Sequence, residues 1–304
     1  MGVTNFPNGV SSFGVTVLGG GVDIPATTGT YFFVDSSTGS NSYNGLDKNH
    51  PVATIDYAVG LCTANKGDII LVMPGHNEAI TAATSLVVDV AGIQIIGLGV
   101  NQSRPMLDFD NTAGSIEIDA ANVRLSNLVL RASVTAVVVA INVDANDVTL
   151  DHLETTWEAT GDDFLITVDC TAFDRITITD NKFFGELAVA GADTVLLIDD
   201  SHNLVLQRNM LVGNANVMVS NAATLSQTCV VTDNIIYNAD TTDNSCMEIS
   251  TASTGIMARN IIGSLGGAQA WSANLDPGSY LCAENYLMNA IDESGIIFPA
   301  TTPS

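Results

Sequence analysis

The nine residues VVTDNIIYN, positions 230–238, place Asn234 between two short runs of apolar residues. Both runs are rich in β-branched side chains, which favour strands over helices. Asn234 therefore lies where one predicted strand ends and the next begins. The same arrangement recurs in four other segments, whose asparagines are Asn181, Asn209, Asn260 and Asn285.

These asparagines mark an internal repeat, because successive members are 28, 25, 26 and 25 residues apart. Three earlier segments fit the same frame with a leucine in the asparagine position, namely Leu98, Leu128 and Leu153. Within each unit the apolar positions alternate with period two and no long helical pattern intervenes, which predicts strands. Short strands repeated at such a period are typical of a parallel β-solenoid, in which successive coils stack on one another.

The columns of the repeat indicate how the coils would pack. Two residues spaced two apart precede the asparagine position in each unit, and stacked strands, about 4.8 Å apart, would bury them as two ladders. The asparagine position then falls at a turn between two sheets, where amides of successive coils can hydrogen-bond to one another. The paired inward positions are Val123/Leu125, Val148/Leu150, Ile176/Ile178, Leu204/Leu206, Cys229/Val231, Gly255/Met257 and Tyr280/Cys282.

This arrangement resembles the right-handed parallel β-helix of the pectate-lyase-like superfamily, in which a ladder of turn asparagines is a family feature. The resemblance covers roughly residues 31 to 298 and is specific for the fold, while it implies little about chemistry. The predicted fold class is all-β: a right-handed parallel β-helix with an N-terminal extended arm and a short capping helix.

Three zones are predicted along the chain. Residues 1–30 are almost uncharged and rich in Gly, Ser, Thr and Asn, which indicates an extended attachment arm. Residues 31–80 are predicted to form the cap and the first coil, and residues 81–304 the remaining coils and a short polar tail. Within the cap, a short amphipathic helix would place one apolar face over the open end of the first coil. That face comprises Ile55, Ala58, Val59 and Cys62.

Composition excludes several classes of partner. The 304 residues carry 33 acidic and 9 basic side chains, a formal net charge of −24, which argues against binding to a nucleic-acid backbone. The start of the chain lacks the basic region of a signal peptide, and no apolar run approaches the roughly 20 residues that span a bilayer. We expect no metal, no disulfide and no cofactor, because the cysteines are odd in number and lack ligand spacing. They are Cys62, Cys170, Cys229, Cys246 and Cys282.

No catalytic residue is predicted. Asp199 and Asp200 are adjacent, so in an extended strand their side chains would point to opposite faces, and His202 follows them in a segment typical of a polar turn. Asp162 and Asp163 are predicted to lie in a solvated turn. The four histidines are scattered over different coils without the spacing of zinc ligands.

A charged column immediately precedes the asparagines, and its signs alternate over five consecutive coils. Stacked at the spacing of strands, these side chains would form ion pairs along one turn, with each arginine between two carboxylates. Alternating charge would also oppose slipped stacking of the coils. The predicted structural ladder therefore combines the five asparagines with Asp180, Arg208, Asp233, Arg259 and Glu284.

Two outward columns become apolar in the C-terminal half of the chain. Soluble monomers rarely display a contiguous apolar face of that extent, so we predict a subunit interface in a homotrimer. The alternative is that long turns cover part of this face. The predicted interface residues are Val205, Val230, Ile256, Leu281, Met210, Ile235, Ile261 and Tyr286.

Three functions fit these features. The first is a non-catalytic structural protein of a phage virion, a trimeric β-helix that decorates the capsid surface and binds the major capsid protein, because the opening MGVTNFPNGVSSFGV resembles the start of tailed-phage virion proteins. The second is a tailspike or receptor-binding protein, attached to a tail or baseplate protein, that binds or cleaves a host glycan. The third is a secreted polysaccharide lyase. In the first, the arm would add a strand to a neighbouring sheet edge. Its predicted contact residues are Phe6, Val10, Phe13, Val15 and Val17.

Overall fold

The chain folds into three long sheets of stacked strands. The computed structural model describes residues 10–12, 15–17, 24–187, 192–221, 226–240, 245–265, 275–276, 279–289 and 294–297. Successive coils contribute a strand to each sheet in turn, and in the described residues the sheets contain ten, ten and eight strands. All pairs between coils are parallel, so the predicted right-handed parallel β-helix is confirmed.

The three sheets are named by their order within a coil. Sheet 1 precedes the asparagine position and consists of Tyr31–Val34, Ile69–Val72, Gln94–Gly97, Arg124–Ser126, Thr149–Asp151, Thr177–Thr179, Val205–Gln207, Cys229–Thr232, Gly255–Ala258 and Leu281–Ala283. Sheet 2 follows the asparagine position and consists of Asn77–Ile80, Met106–Phe109, Val129–Ala132, Glu154–Trp157, Lys182–Phe184, Met210–Gly213, Ile235–Asn238, Ile261–Ser264, Asn285–Asn289 and, antiparallel at its end, Ser294–Ile297. Sheet 3 consists of Leu86–Val87, Ile116–Ile118, Val137–Val143, Phe164–Asp169, Ala192–Leu197, Ala215–Asn221, Ser245–Ile249 and Leu275–Asp276.

The core is built from the columns that the sequence predicts. Ile178 pairs with Leu206, and Leu206 with Val231, in register from coil to coil. All three side chains are fully buried, as are the residues two positions before them in the first two of these coils. Because an inward residue in one coil stacks on an inward residue in the next, one continuous apolar core runs along the solenoid axis.

The cap closes the first coil as predicted. The helix Ile55–Leu61 begins after Thr54, whose hydroxyl accepts a hydrogen bond from the Tyr57 N–H, and it buries Ile55, Ala58 and Val59. A buried hydrogen-bond chain ties the helix to the coil. Glu78 Oε2 accepts from the Ile55 N–H at 3.0 Å and lies 3.0 Å from His76 Nε2. The Ser36 N–H donates to His76 Nδ1, so Nε2 carries the ring proton and donates to Glu78.

The N-terminal zone divides differently from the prediction of one extended arm over residues 1–30. Val10–Ser12 and Val15–Val17 form an antiparallel hairpin. Residues 24–30, by contrast, lie against the outside of sheet 1, where Ile24 packs with the fully buried Ile69 and Leu71. The Thr30 N–H donates to Asp68 at 2.6 Å, which holds the segment in place.

The turn between sheets 1 and 2 has one conformation in successive coils. The residue before the asparagine position has a positive φ, which non-glycine residues adopt at a cost of about 1–2 kcal/mol. This left-handed residue directs the backbone from one sheet into the next and leaves the following N–H buried. Its φ lies between 53° and 60° at Asn127, His152, Asp180, Arg208, Asp233, Arg259 and Glu284.

The asparagines satisfy the buried backbone groups of this turn. Asn234 Oδ1 accepts two hydrogen bonds from the preceding coil, from the backbone N–H of Asn209 at 2.9 Å and from its Nδ2 at 3.0 Å. Asn234 Nδ2 donates to Asn260 Oδ1 and to the Leu206 carbonyl, both at 2.9 Å. The same contacts connect Asn181 to Asn209 and Asn260 to Asn285. The five amides therefore form one stacked column inside the fold.

Every arginine of the chain pairs with a carboxylate of another coil. The six pairs have N–O distances between 2.5 and 2.8 Å. Exposed pairs contribute only about 0–1 kcal/mol each, but pairs in register along the solenoid oppose slipped stacking. The pairs are Arg104–Glu154, Arg124–Asp151, Arg131–Asp108, Arg175–Asp147, Arg208–Asp180 and Arg259–Asp233.

Replacement of Asn234 by leucine is expected to destabilise the protein strongly. Leucine fits the site, since Leu128 and Leu153 occupy the same position in earlier coils. The loss leaves the buried Asn209 N–H without its acceptor, which costs about 1–3 kcal/mol, and removes one hydrogen bond each from Asn209 Nδ2, the Leu206 carbonyl and Asn260 Oδ1. Urea denaturation followed by circular dichroism should show a fall of about 1–3 kcal/mol in the free energy of unfolding.

Asn181→Leu is the matched control at the end of the ladder. Its Oδ1 accepts from only one group, the Leu153 N–H at 2.8 Å, and its Nδ2 donates to the Leu150 carbonyl. Its Nδ2 also donates to Asn209 Oδ1. The substitution therefore removes three side-chain hydrogen bonds, whereas Asn234→Leu removes four, so its effect should be smaller. An equal or larger loss of stability for Asn181→Leu would contradict the assignment of the ladder as the stabilising element.

Candidate functional site

The predicted interface residues form two columns on the outside of the last coils. In sheet 2, Met210 pairs with Ile235, Ile235 with Ile261, and Ile261 with Tyr286. Ile235 is 39% exposed and Tyr286 45% exposed, while the other two are half-buried. This column is therefore a continuous strip of apolar surface across four coils.

Sheet 1 carries the second column. Val205 pairs with Val230, Val230 with Ile256, and Ile256 with Leu281. Exposure rises along the column, since both valines are half-buried, Ile256 is 46% exposed and Leu281 66% exposed. Within the described residues, long turns do not cover these side chains. Two adjacent faces of the solenoid thus present apolar residues on either side of one corner.

The same two faces are charged and polar in the N-terminal half. On sheet 1, Arg124 donates to both oxygens of Asp151, at 3.0 and 2.6 Å. On sheet 2, Arg131 pairs with Asp108 at 2.5 Å. These faces therefore carry ion pairs in the N-terminal half. Over the last coils, aliphatic residues occupy outward positions of the same two faces.

The corner between the two apolar columns carries the charged residues of the predicted ladder. Arg208 donates two hydrogen bonds to Asp180, at 2.7 and 2.6 Å, and Arg259 donates two to Asp233, both at 2.7 Å. Each arginine was expected to contact a carboxylate on both sides. Each donates hydrogen bonds to one, through the guanidinium edge that carries Nε and one terminal nitrogen. The second carboxylate, Asp233 for Arg208 and Glu284 for Arg259, raises the pKa of the arginine by electrostatic attraction. The column is two neutral pairs, with Glu284 beyond them.

The aspartates and the histidine that the sequence offered as catalytic candidates lie between strands, and His202 and Asp163 hydrogen-bond to the backbone of neighbouring coils. His202 Nδ1 accepts from the Gln227 N–H at 3.1 Å, and the backbone of Asp200 is left-handed, with φ 54°. The expectation that Asp163 lies in a solvated turn is wrong, because its side chain is buried. Its Oδ1 accepts from the Ala136 N–H at 2.8 Å, which connects its turn to the preceding coil.

The cysteines belong to the core or its edge. All five are free, and all but Cys62 are buried. Burial raises the pKa of the Cys170 and Cys246 thiols to about 12. Thiolate, the reactive form, is therefore scarce at neutral pH for these two side chains.

Three acidic residues form a cluster on sheet 3 that the sequence pattern did not predict. The carboxylates of Glu117, Asp119 and Asp144 lie within 4.8 Å of one another. Burial raises the pKa of Asp119 and of Asp144, and repulsion from Glu117 adds to both shifts. Three oxygens at this spacing suit a hard cation such as Ca²⁺. The only signal in the sequence is the pair of segments IEID and INVD, 25 residues apart, which become neighbours only when the coils stack.

The predicted contact residues of the arm fall into two groups. Val10, Val15 and Val17 belong to the strands of the N-terminal hairpin, which pair in the register Val10 with Val17 and Ser12 with Val15. Phe6 and Phe13 lie outside the described residues.

Comparison with known proteins bears on the fold. No family model matches the chain, and no curated protein matches it. A solved rhamnogalacturonan lyase is similar, with a TM-score of 0.47 and 12% sequence identity over 85% of this chain and 74% of that one. The chain has a parallel β-helix fold. The parallel register of the three sheets establishes this architecture directly, without reference to the lyase. In the described part of the chain, no helix has the length and apolar character to cross a membrane.

Arg259→Gln is expected to raise the pKa of Asp233. The two hydrogen bonds from Arg259 hold that pKa at about 2, below the ordinary aspartate value. Because the folded-state pKa is lowered, the pair stabilises the fold above about pH 4 and the contribution is lost as the pH falls towards 2. A carboxyl-detected NMR titration of the variant should show the Asp233 pKa raised toward the ordinary value of about 4, while the hydrogen bond from Gln207 still lowers it in part.

Arg208→Gln is the control for this titration. It removes the partner of Asp180, whose pKa that arginine lowers, and leaves Asp233 with Arg259. The Asp180 titration should therefore move upward while that of Asp233 stays low. An unchanged Asp233 titration in Arg259→Gln would contradict the assigned pairing. Since both arginines are about half exposed, the effect of either variant on stability should stay below about 1 kcal/mol.

Proposed function

We propose that this protein is a non-catalytic structural protein of a phage virion, a β-helix that assembles as a homotrimer on the capsid surface and attaches through its N-terminal segment. The observation that carries the proposal is the pair of apolar columns on the outside of the last coils. Exposed aliphatic residues at Ile235, Ile256 and Leu281 make water-facing surface that association would bury.

The position of the columns supports a trimer over a dimer. They lie on two adjacent sheets, on either side of the corner that Asp180, Arg208, Asp233 and Arg259 occupy. A two-fold dimer uses one self-complementary patch, whereas each subunit of a cyclic trimer presents one face to each neighbour. Parallel solenoids with their corners toward a three-fold axis would bury sheet 1 of one subunit against sheet 2 of the next.

The charge distribution supports the same arrangement. All six arginines are already paired within the chain, so the strongly acidic surface has few basic groups with which to attract a second copy. Association of two chains of charge −24 must therefore rest on apolar burial, and the corner between the columns carries neutralised pairs. The surface left outside such a trimer is acidic, which keeps particles that display it soluble.

Ile235→Asp and Ile261→Asp are expected to dissociate the trimer. Each lost apolar side chain forfeits about 1.5–3 kcal/mol of burial, and each buried unpaired charge costs several kcal/mol more. Sedimentation velocity should show a trimer for the unmodified protein and a monomer for the double variant. The control is Thr177→Asp, at an outward position of sheet 1 before the apolar column begins, which should leave the trimer intact. A monomeric unmodified protein would overturn the proposed assembly.

Deletion of residues 1–20 tests attachment. Ile24, which packs on sheet 1, and all coil strands remain in the truncated chain, so it should retain the β-helix and the trimer. It should fail to bind purified phage heads in a co-sedimentation assay. Heads that retain the truncated protein would contradict the role of the arm, and cleavage of a host-surface polysaccharide by the unmodified protein would contradict the non-catalytic proposal.

A further inference from the structure

Sheet 2 opens between two of its coils. Glu154–Trp157 and Lys182–Phe184 pair only at Glu154 and Lys182, whereas the strands on either side pair at three or four positions. The Thr155 hydroxyl replaces the missing backbone ladder. It accepts from the Phe184 N–H at 2.7 Å and donates to the Phe184 carbonyl at 2.8 Å. Because a side chain is interposed, the two coils separate beyond this point.

A cleft forms where the coils separate, at the turn from sheet 2 to sheet 3. One wall of the cleft is formed by two glycines on neighbouring coils, Gly185 and Gly213, which have no side chains to fill it. A Cβ on Gly213 would lie 3.5 Å from the Gly185 Cα. Trp157, 36% exposed, and Phe184 supply aromatic walls. The enclosed volume is about 20 Å³, room for one small polar group, since a single water needs roughly 10–15 Å³.

The carboxylate and amide oxygens open to the cleft are hydrogen-bond acceptors, and the hydroxyls of Thr156 and Thr167, which can donate or accept, also line it. Asp162 and Glu186 each use one oxygen to accept from a backbone N–H, those of Ala159 and Gly161, and their second oxygens have no protein partner. Asn214 Nδ2 donates to the Leu187 carbonyl at 3.3 Å, while Asn214 Oδ1 is buried and has no partner. The side chains that line the cleft include no lysine, arginine or histidine.

We infer that this cleft binds a primary alkylammonium group, the chemistry of a lysine side chain or of a free diamine. An ammonium provides three donors and a positive charge, which match the open carboxylate oxygens and the unpaired amide oxygen. The faces of Trp157 and Phe184 suit the same group, because aromatic rings attract cations and pack on alkyl chains. A neutral polyol supplies donors but leaves the carboxylate charge uncompensated. The site is on a different part of the surface from the proposed trimer interface and does not depend on it.

Trp157 itself reports binding. The sequence contains two tryptophans, so a Trp271→Phe variant leaves Trp157 as the single indole fluorophore. Titration of this variant with n-butylamine at pH 7, where the amine is protonated, should change the fluorescence saturably in the millimolar range. The isosteric n-butanol should give no saturable change. A response to butanol equal to that to butylamine, or no saturable response to butylamine, would overturn the inference.

Two further variants locate the site. Asp162→Asn with Glu186→Gln removes the charge at constant shape and should weaken butylamine binding at least tenfold. Gly213→Ala adds one methyl group at ordinary contact distance without changing charge, and should weaken it by steric exclusion. Unchanged affinity in the charge variant would refute the ammonium assignment. Nα-acetyl-lysine amide and putrescine then distinguish the sources. Tighter binding of the lysine derivative assigns the cleft to a partner protein, and tighter binding of putrescine assigns it to a free diamine.

Discussion

The fold depends on how the backbone is hydrogen-bonded where each coil bends from sheet 1 into sheet 2. A left-handed residue makes the bend, and the N–H that follows it is buried. No water reaches that position, so an unpaired group there would carry its full desolvation cost. An asparagine from the next coil accepts from this N–H and donates to a carbonyl of the same coil and to the asparagine of the coil that follows. Asn234 accepts from the Asn209 N–H, donates to the Leu206 carbonyl and donates to Asn260 Oδ1. One side chain thereby hydrogen-bonds to the coil before it and to the coil after it.

The amide ladder also explains the surface. Since the left-handed residue projects outward beside it, each coil places a side chain at the same corner, and in the C-terminal half these side chains form the pairs Asp180–Arg208 and Asp233–Arg259. All the arginines are used in this way between coils. The charge that remains is strongly negative, and the outward positions next to the paired corner are aliphatic. An interface built there therefore gains from apolar burial and meets little uncompensated charge.

The acidic cluster on sheet 3 and the cleft beside Trp157 both lie away from the asparagine ladder. They occur where the turns differ from coil to coil. Turns between sheets 2 and 3 differ in length, and one of them separates two coils so that the Thr155 hydroxyl stands in for the backbone. Sheet 3 places Glu117 beside Asp144 with no basic residue of the described chain among the groups that shift their pKa values. Regular stacking stabilises the solenoid, whereas these departures from it create space and unpaired oxygens.

The sequence alone determined the repeat, the inward columns, the capping helix and the asparagine column, because each follows from local spacing. Period two places alternate residues inside, and a step of 25 to 28 residues places Asn181 to Asn285 above one another. Only the tertiary structure decided which carboxylate each arginine meets, that residues 24–30 lie on sheet 1, that Glu117, Asp119 and Asp144 converge, and that Trp157 borders a cleft. These contacts join coils whose turns differ in length. The relative position of their side chains therefore depends on the packed register of the strands, which a linear pattern does not contain.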